Sequence, residues 1–237
     1  MDWKRNYHTH TDFCDGQNTP EEMAEAALRK ELQAICITDH EDYGQTGKEV
    51  MVLTDYEKYV HTIQDARETY KGRLEINLGM EKYEGQMEIL LGVERDFYSD
   101  LDCRDLDYSI GSVHYIRWEG EYIPVDESEE VVRKTIEKFG NDPYAYAETY
   151  FDTVARVVEQ TDCDFIGHFD LIKKFNRNGV VLVDEQHPRY VAAWKKALER
   201  LELKADGHSS SWAPRGVVSL PVPWKFRPVR GFWNSGS

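Results

Sequence analysis

The 237-residue sequence predicts an α/β fold with a mainly parallel sheet, either open or closed as a barrel. Three observations lead there. Short apolar, strand-like runs alternate with well-punctuated helical segments, which is the pattern of βαβ units. The chain is 41% hydrophobic and 12% aromatic, enough for a sizeable core and too much for general disorder. Finally, His8 and His10, Asp39 and His40, Glu94, His114 and His168 all fall at the ends of such runs. In a (β/α) barrel, strand ends converge on one rim, where active sites are built.

The elements follow in order. Thr19-Pro20-Glu21-Glu22 offers an N-cap, a proline at the first helical position and a capping-box glutamate, so a helix is predicted over about 20–31. Residues 33–38 form an apolar run that reads as a buried strand ending at Asp39-His40. Thr54 with Glu57 opens a second helix, and Gly72 stands where a C-terminal glycine belongs. Residues 74–76 and 88–91 are the next strands, the second leading to Gly92-Val93-Glu94. Asp126 with Glu129, then Asp142 with Pro143, open further helices, the latter running to about Thr161. Residues 164–168 make another strand, and a helix spans about 187–202.

Residues 203–237 depart from this pattern. They hold five basic residues (Lys204, Arg215, Lys225, Arg227, Arg230) against a single acid, Asp206, together with three of the six tryptophans and four of the eight prolines. Neither a helical period nor a capping signal is present there. The domain reading is therefore a catalytic region over 1–202 and an atypical basic tail over 203–237.

The formal net charge of −15 argues against nucleic acid and anionic membranes as partners, since both need clustered Lys and Arg. Four scattered cysteines (Cys14, Cys36, Cys103, Cys163) give neither a disulfide framework nor a zinc ribbon. The N-terminus runs straight into a polar, histidine-rich segment, and no apolar run approaches the ~20 residues of a membrane span, so a soluble cytoplasmic protein is expected.

His8-Thr9-His10 puts two imidazoles on one side of an extended strand, where they can chelate one ion. Any one of the strand-end histidines alone reads best as a hydrogen-bonded structural residue. Five of them beside carboxylates favour a metal cluster. Mixed imidazole and carboxylate donors suit zinc, manganese or iron, and a carboxylate such as Glu94 can bridge two ions. A multinuclear site lowers the pKa of a bound water and clamps the oxygens of a phosphoryl displacement, so hydrolysis of a phosphate ester is the expected chemistry. Two or three divalent ions also reconcile an acidic protein with an anionic substrate. Cys14 as a phosphatase nucleophile lacks the glycine cradle and arginine that would activate it.

The set His8-x-His10, Thr38-Asp39-His40, Gly92-Val93-Glu94, Ser112-Val113-His114 and Gly167-His168 resembles the polymerase and histidinol phosphatase (PHP) family over roughly residues 3–202. The stretches 6–16, 110–114 and 167–175 are similar to its histidinol-phosphatase branch. The resemblance implies a distorted (β/α)7 barrel, a di- or trinuclear metal centre and hydrolysis of L-histidinol phosphate to L-histidinol and phosphate in histidine biosynthesis. It implies that His8 and His10 bind a first metal and that Glu94 bridges it to a second completed by His114 and His168. Asp15 and His40 would hold a third. Asp39 and Asp170 would orient imidazoles, and Arg177, Lys173 and Lys174 are candidates to grip the phosphate. Gly79-Met80-Glu81 spells a rival to Glu94, which is preferred because its preceding strand is the stronger.

The family's last Asp-x-His is spelled by Asp206-Gly207-His208, but with no apolar strand leading to it. The match is read as coincidence, with the family pattern or the reading frame lost near residue 203 and the barrel incomplete at its C-terminus. Two other readings stand beside the histidinol-phosphate one: a PHP phosphoesterase acting on another phosphomonoester or a nucleotide, and an inactive metal-binding fragment.

Overall fold

The computed structural model describes residues 4–41, 53–71, 75–78, 81–84, 88–103, 105–207 and 216–218. The chain divides into two compact units, one of Met1–Arg95 with Ser99–Ile110, the other of Asp96–Tyr98 with Gly111–Ser237.

In the first unit, β1 (Arg5–Thr9), α1 (Pro20–Arg29), β2 (Ala34–Ile37), α2 (Leu53–Tyr70), the β3–β4 hairpin (Glu75–Leu78, Glu81–Glu84) and β5 (Glu88–Asp96) follow in order. β2 lies between β1 and β5 and runs parallel to both, with Ile35 opposite Ile89 and Ile37 opposite Leu91. All four residues of β2 are buried, which is why its sequence is apolar on both faces rather than alternating. The capping box at Thr19 and Glu22 forms as the sequence predicts. Ala24 and Ala27 of α1 and Tyr59, Ile63 and Ala66 of α2 join Ile35, Ile37, Ile89 and Val93 in one core. α2 starts one residue before Thr54, which therefore sits in the first turn instead of capping it, and Gly72 lies outside the described residues.

β6 (Tyr108–Ser112) leads from the first unit into the second. There β7 (Tyr115–Trp118) and β8 (Glu121–Pro124) form a hairpin the sequence reading did not foresee, closed by Glu119 and Gly120 at φ +49° and +91°. Two left-handed residues make a turn whose twist matches the strands. α3 (Glu129–Lys138), α4 (Pro143–Val154), α5 (Val157–Thr161), β9 (Phe165–Gly167), a single 3-10 turn (Leu171–Lys173), α6 (Pro188–Gly207) and β10 (Gly216–Val218) complete it. Its core is aromatic, with Tyr146, Tyr150, Phe151, Phe169 and Tyr190 all buried.

Four sequence expectations are corrected in this unit. The cap of α3 is Ser128, whose side chain accepts from Val131 N, and not Asp126. The long helix expected from Pro143 to about Thr161 is two helices, α4 ending at Val154 and α5 starting at Val157, with Ala155 and Arg156 between them. The last helix runs on to Gly207, so Asp206 lies in a helix and not on a strand, while His208 is outside the described residues. And the segment after residue 203 does contribute backbone to a sheet: β10 pairs parallel with β9, Val217 opposite Ile166.

Candidate functional site

The end of β1 and the loop beyond it supply some of the first unit's donors, and the ends of β2 and β5 the others. His8 is the fourth residue of β1, and His10 follows its last residue. Tyr59 of α2 shares its hydroxyl proton between the carbonyls of Ile37 (3.0 Å) and Gly92 (2.7 Å), tying together β2 and β5 just before they deliver Asp39-His40 and Glu94. Backbone pairing continues past β2: Glu94 N donates to Asp39 O, and Glu41 N to Glu94 O.

Glu94 is the hub of this unit, with its side chain only 1% exposed. Its Oε2 lies 3.6 Å from His8 Nε2, 3.4 Å from His10 Nε2 and 3.1 Å from His40 Nδ1. Asp15, largely exposed, lies on the outer side, 3.7 Å from His10 Nδ1 and 3.9 Å from His40 Nε2. Glu81, the sequence rival of Glu94, instead belongs to β4, opposite Leu78 in the hairpin.

The tautomer of His8 follows from its neighbour. Thr38 Oγ1 donates to Thr9 O at 3.3 Å, so the same oxygen accepts Nδ1–H of His8 at 2.8 Å. The Nε2 lone pair of His8 is thereby left facing a carboxylate oxygen, which is repulsive unless a cation lies between them.

The loop after His10 is folded hard against it. Cys14 N and Gly16 N both donate to Thr11 O, and a Cβ on Gly16 would stand 2.7 Å from the backbone carbonyl of His10. Only glycine fits where backbone cannot yield. Asp39 is expected to orient an imidazole. Instead its Oδ1 accepts from Thr11 N (2.5 Å) and Cys14 Sγ (2.8 Å) and its Oδ2 from Thr11 Oγ1 (2.6 Å), so it holds the loop. Burial pushes the Asp39 carboxyl up, against the lowering pull of those bonds from Cys14 and Thr11. Burial, then the Asp39 charge, push the Cys14 thiol far up, which removes it as a thiolate nucleophile.

In the second unit the two imidazoles meet directly. His114 Nε2 and His168 Nε2 are 3.1 Å apart. Asp96 stands behind His114: its Oδ2 accepts the backbone N–H of His114 at 2.8 Å and lies 3.5 Å from the ring Nδ1. A carboxylate behind the ring turns Nε2 forward as the ligating atom. His168 follows β9, where Tyr150 of α4 offers its hydroxyl to the carbonyls of His168 (3.4 Å) and Phe169 (3.3 Å).

Asp126, displaced from the helix cap, is a functional candidate that sequence reasoning missed. Burial pushes its carboxyl up, but His114, Lys174 and His168 together bring it below the ordinary range. Lys174 Nζ lies 3.0 Å from Asp126 Oδ2, and the buried Lys173 Nζ is held between Asp170 (2.7 Å) and Glu185 (2.9 Å). Both lysines expected to grip phosphate are therefore already neutralised by carboxylates, and Asp170 is engaged with Lys173 in place of the imidazole expected of it. Arg177 is exposed, its guanidinium 5.5 Å from the centre of the Phe175 ring.

The donor sets fit divalent ions. Two N or O donors at ~2.0–2.2 Å from one ion, at a tetrahedral angle, stand ~3.3–3.6 Å apart. The imidazole-to-Glu94 separations of 3.1–3.6 Å bracket that value, and the two Nε2 atoms of the second unit approach it. In the first unit, His8, His10 and Glu94, and again His10, Asp15 and His40, each bring three donor atoms within 4.8 Å of one another.

The family model described as the PHP domain matches residues 6–206. The chain is 28% identical over 219 residues to the histidinol-phosphatase of Bacillus subtilis, spanning 87% of this chain and 81% of that protein. It is 33% identical over 221 residues to a Deinococcus radiodurans protein assigned as a histidinol-phosphatase, spanning 91% and 77%. A solved structure from Listeria monocytogenes, also assigned as a histidinol phosphatase, superposes with a TM-score of 0.66 at 17% identity over 85% of this chain and 79% of that one. That superposition shows the shared fold, a PHP-type (β/α) barrel architecture.

Proposed function

Because the chain belongs to the PHP domain family, we propose that it is a phosphoric monoester hydrolase that converts L-histidinol phosphate to L-histidinol and phosphate in histidine biosynthesis. The observation that carries the reading is the convergence of three imidazoles on the buried Glu94 carboxylate, in a chain whose relatives carry that activity in their names. The proposed ligands of two or three divalent ions are His8, His10, Asp15, His40 and Glu94 from the first unit and His114 and His168 from the second. Neutral imidazoles with carboxylates accept zinc, manganese or iron alike.

When bound, such ions activate a water and neutralise the charge of the transferring phosphoryl group. The chain's own residues do the rest. Thr38 fixes the tautomer of His8, and Asp96 that of His114, so that both offer Nε2 forward. Glu94 brings a buried negative charge that offsets the ions' mutual repulsion. Arg177 is the residue proposed to take the phosphate, since a planar guanidinium can bind two of its oxygens at once. In this reading the phosphoesterase region is 1–202, and no ligand is proposed from the basic segment 203–237.

The test is phosphate release from L-histidinol phosphate and from several other phosphomonoesters and nucleotides, with chelator-stripped and metal-restored protein. Turnover of histidinol phosphate, lost on stripping and regained with metal, supports the proposal. Turnover of the other esters alone transfers it to a different phosphomonoesterase, and bound metal without any turnover sinks it.

A further inference from the structure

Two of the imidazoles have a group at the rear nitrogen: the Thr38 hydroxyl for His8 and the Asp96 carboxylate for His114. At the rear of His10 stands a sulfur. Cys14 Sγ lies 3.4 Å from His10 Nδ1, and Asp15 Oδ1, the rival, is further off at 3.7 Å on a mostly exposed side chain. The same sulfur lies 2.8 Å from Asp39 Oδ1, a contact short enough to require the S–H proton between them. With its proton given to Asp39, the sulfur has only lone pairs to offer His10, and it accepts Nδ1–H.

We propose that Cys14 is a positioning residue for the metal site: its thiol links Asp39 to His10, holds His10 as the Nδ1–H tautomer, and so aims the Nε2 lone pair at the ion beside Glu94. The inference rests on the metal reading above and adds to it. A thiol here does what a carboxylate does behind His114, without placing a further negative charge beside Glu94, Asp15 and Asp39. Gly16 and Thr11 build the tight loop that brings the sulfur there. His10, Cys14 and Asp39 also bring three donor atoms within 4.8 Å of one another, but the sulfur is taken as a hydrogen-bond partner, because it faces the rear nitrogen of His10 and not the Glu94 side of the ring.

The experiment is titration of the apo-protein with Zn²⁺ and Co²⁺ for wild type, Cys14→Ser and Cys14→Ala, with ¹⁵N shifts of the His10 ring read in parallel. Wild type binds metal, and Cys14→Ala loses ~10–100-fold in affinity, the usual cost of removing a group behind a ligand. Cys14→Ser, which can both donate and accept, stays near wild type. The His10 ring is the Nδ1–H tautomer in wild type and in the serine variant and a mixture in the alanine variant, a readout that a merely structural role would leave unmoved.

Two results overturn the proposal while leaving the metal reading intact. One is unchanged affinity and tautomer in Cys14→Ala. The other is an intense thiolate-to-Co²⁺ charge-transfer band in wild type that both variants lose, which makes Cys14 a direct ligand. A wild type that binds no metal overturns both.

Discussion

The two units handle the same ligand chemistry in opposite ways. In the first, charge is brought to the centre: the buried Glu94 oxygen is within 3.6 Å of three imidazoles. In the second, the imidazoles meet edge-on with their Nε2 atoms 3.1 Å apart, and charge stands behind them, on Asp96 and Asp126. A central carboxylate supplies both a donor atom and the charge that offsets a cation. A carboxylate in the rear supplies orientation and basicity. The difference predicts unequal consequences when each is neutralised.

Glu94→Gln keeps the size of the side chain and removes its charge. Metal retention should fall by more than the ~100-fold upper range seen for groups behind a ligand. Asp96→Asn should cost ~10–100-fold. Metal content after dialysis against a graded chelator measures both. Equal losses would mean that the central and rear carboxylates do the same work, and the contrast between the units would fail.

What the sequence made legible follows this division. The strand-end histidines and Glu94 could be read because a short apolar run followed by a polar residue is a local pattern. The capping box at Thr19 was legible for the same reason, since its partners are three residues apart. The positions that were misread depend on partners far along the chain. Asp126 resembled a helix cap because Glu129 follows at the right spacing, but Ser128 competes two residues later and wins. Asp126 is then held near His114, His168 and Lys174, up to 48 residues distant. Lys173 read as a phosphate ligand because its charge is visible in sequence and its tie to Glu185 is not. Asp39 and Cys14, 25 residues apart, could not be connected without the fold.

Each unit also uses a buried tyrosine to brace its strand ends, which gives a comparison of packing rather than charge. Tyr59 reaches its two carbonyls at 2.7 and 3.0 Å, Tyr150 at 3.3 and 3.4 Å. Tyr59→Phe leaves buried carbonyls short of a donor and should cost ~1–3 kcal/mol in urea unfolding. Tyr150→Phe gives up longer bonds and should cost ~0.5–1.5 kcal/mol. A larger loss at Tyr150 would show that the aromatic core of the second unit, and not the hydroxyl geometry, sets the cost.

The smallest effect belongs to charges held at the surface. Arg189 of α6 binds Asp142 Oδ2 at 2.7 Å and Glu148 Oε2 at 2.8 Å, joining the first residue of the α4 cap to its second turn, and all three side chains are more than a third exposed. Hydrogen bonding from the guanidinium holds both carboxyls below their ordinary range. A carboxyl depressed in the folded state adds stability that is complete above its unfolded pKa and is lost as pH falls through the folded value. Arg189→Gln should therefore lower the melting temperature slightly at neutral pH, less than either tyrosine change, and the gap from wild type should close on acidification through the carboxylate range. Added salt should narrow the gap as well, because exposed pairs are screened. Glu94 is the counter-case within the same chain. The loss from Arg189→Gln fades with acid or salt alone, whereas the loss from Glu94→Gln persists in salt, because its carboxylate is buried among imidazoles where counterions do not reach.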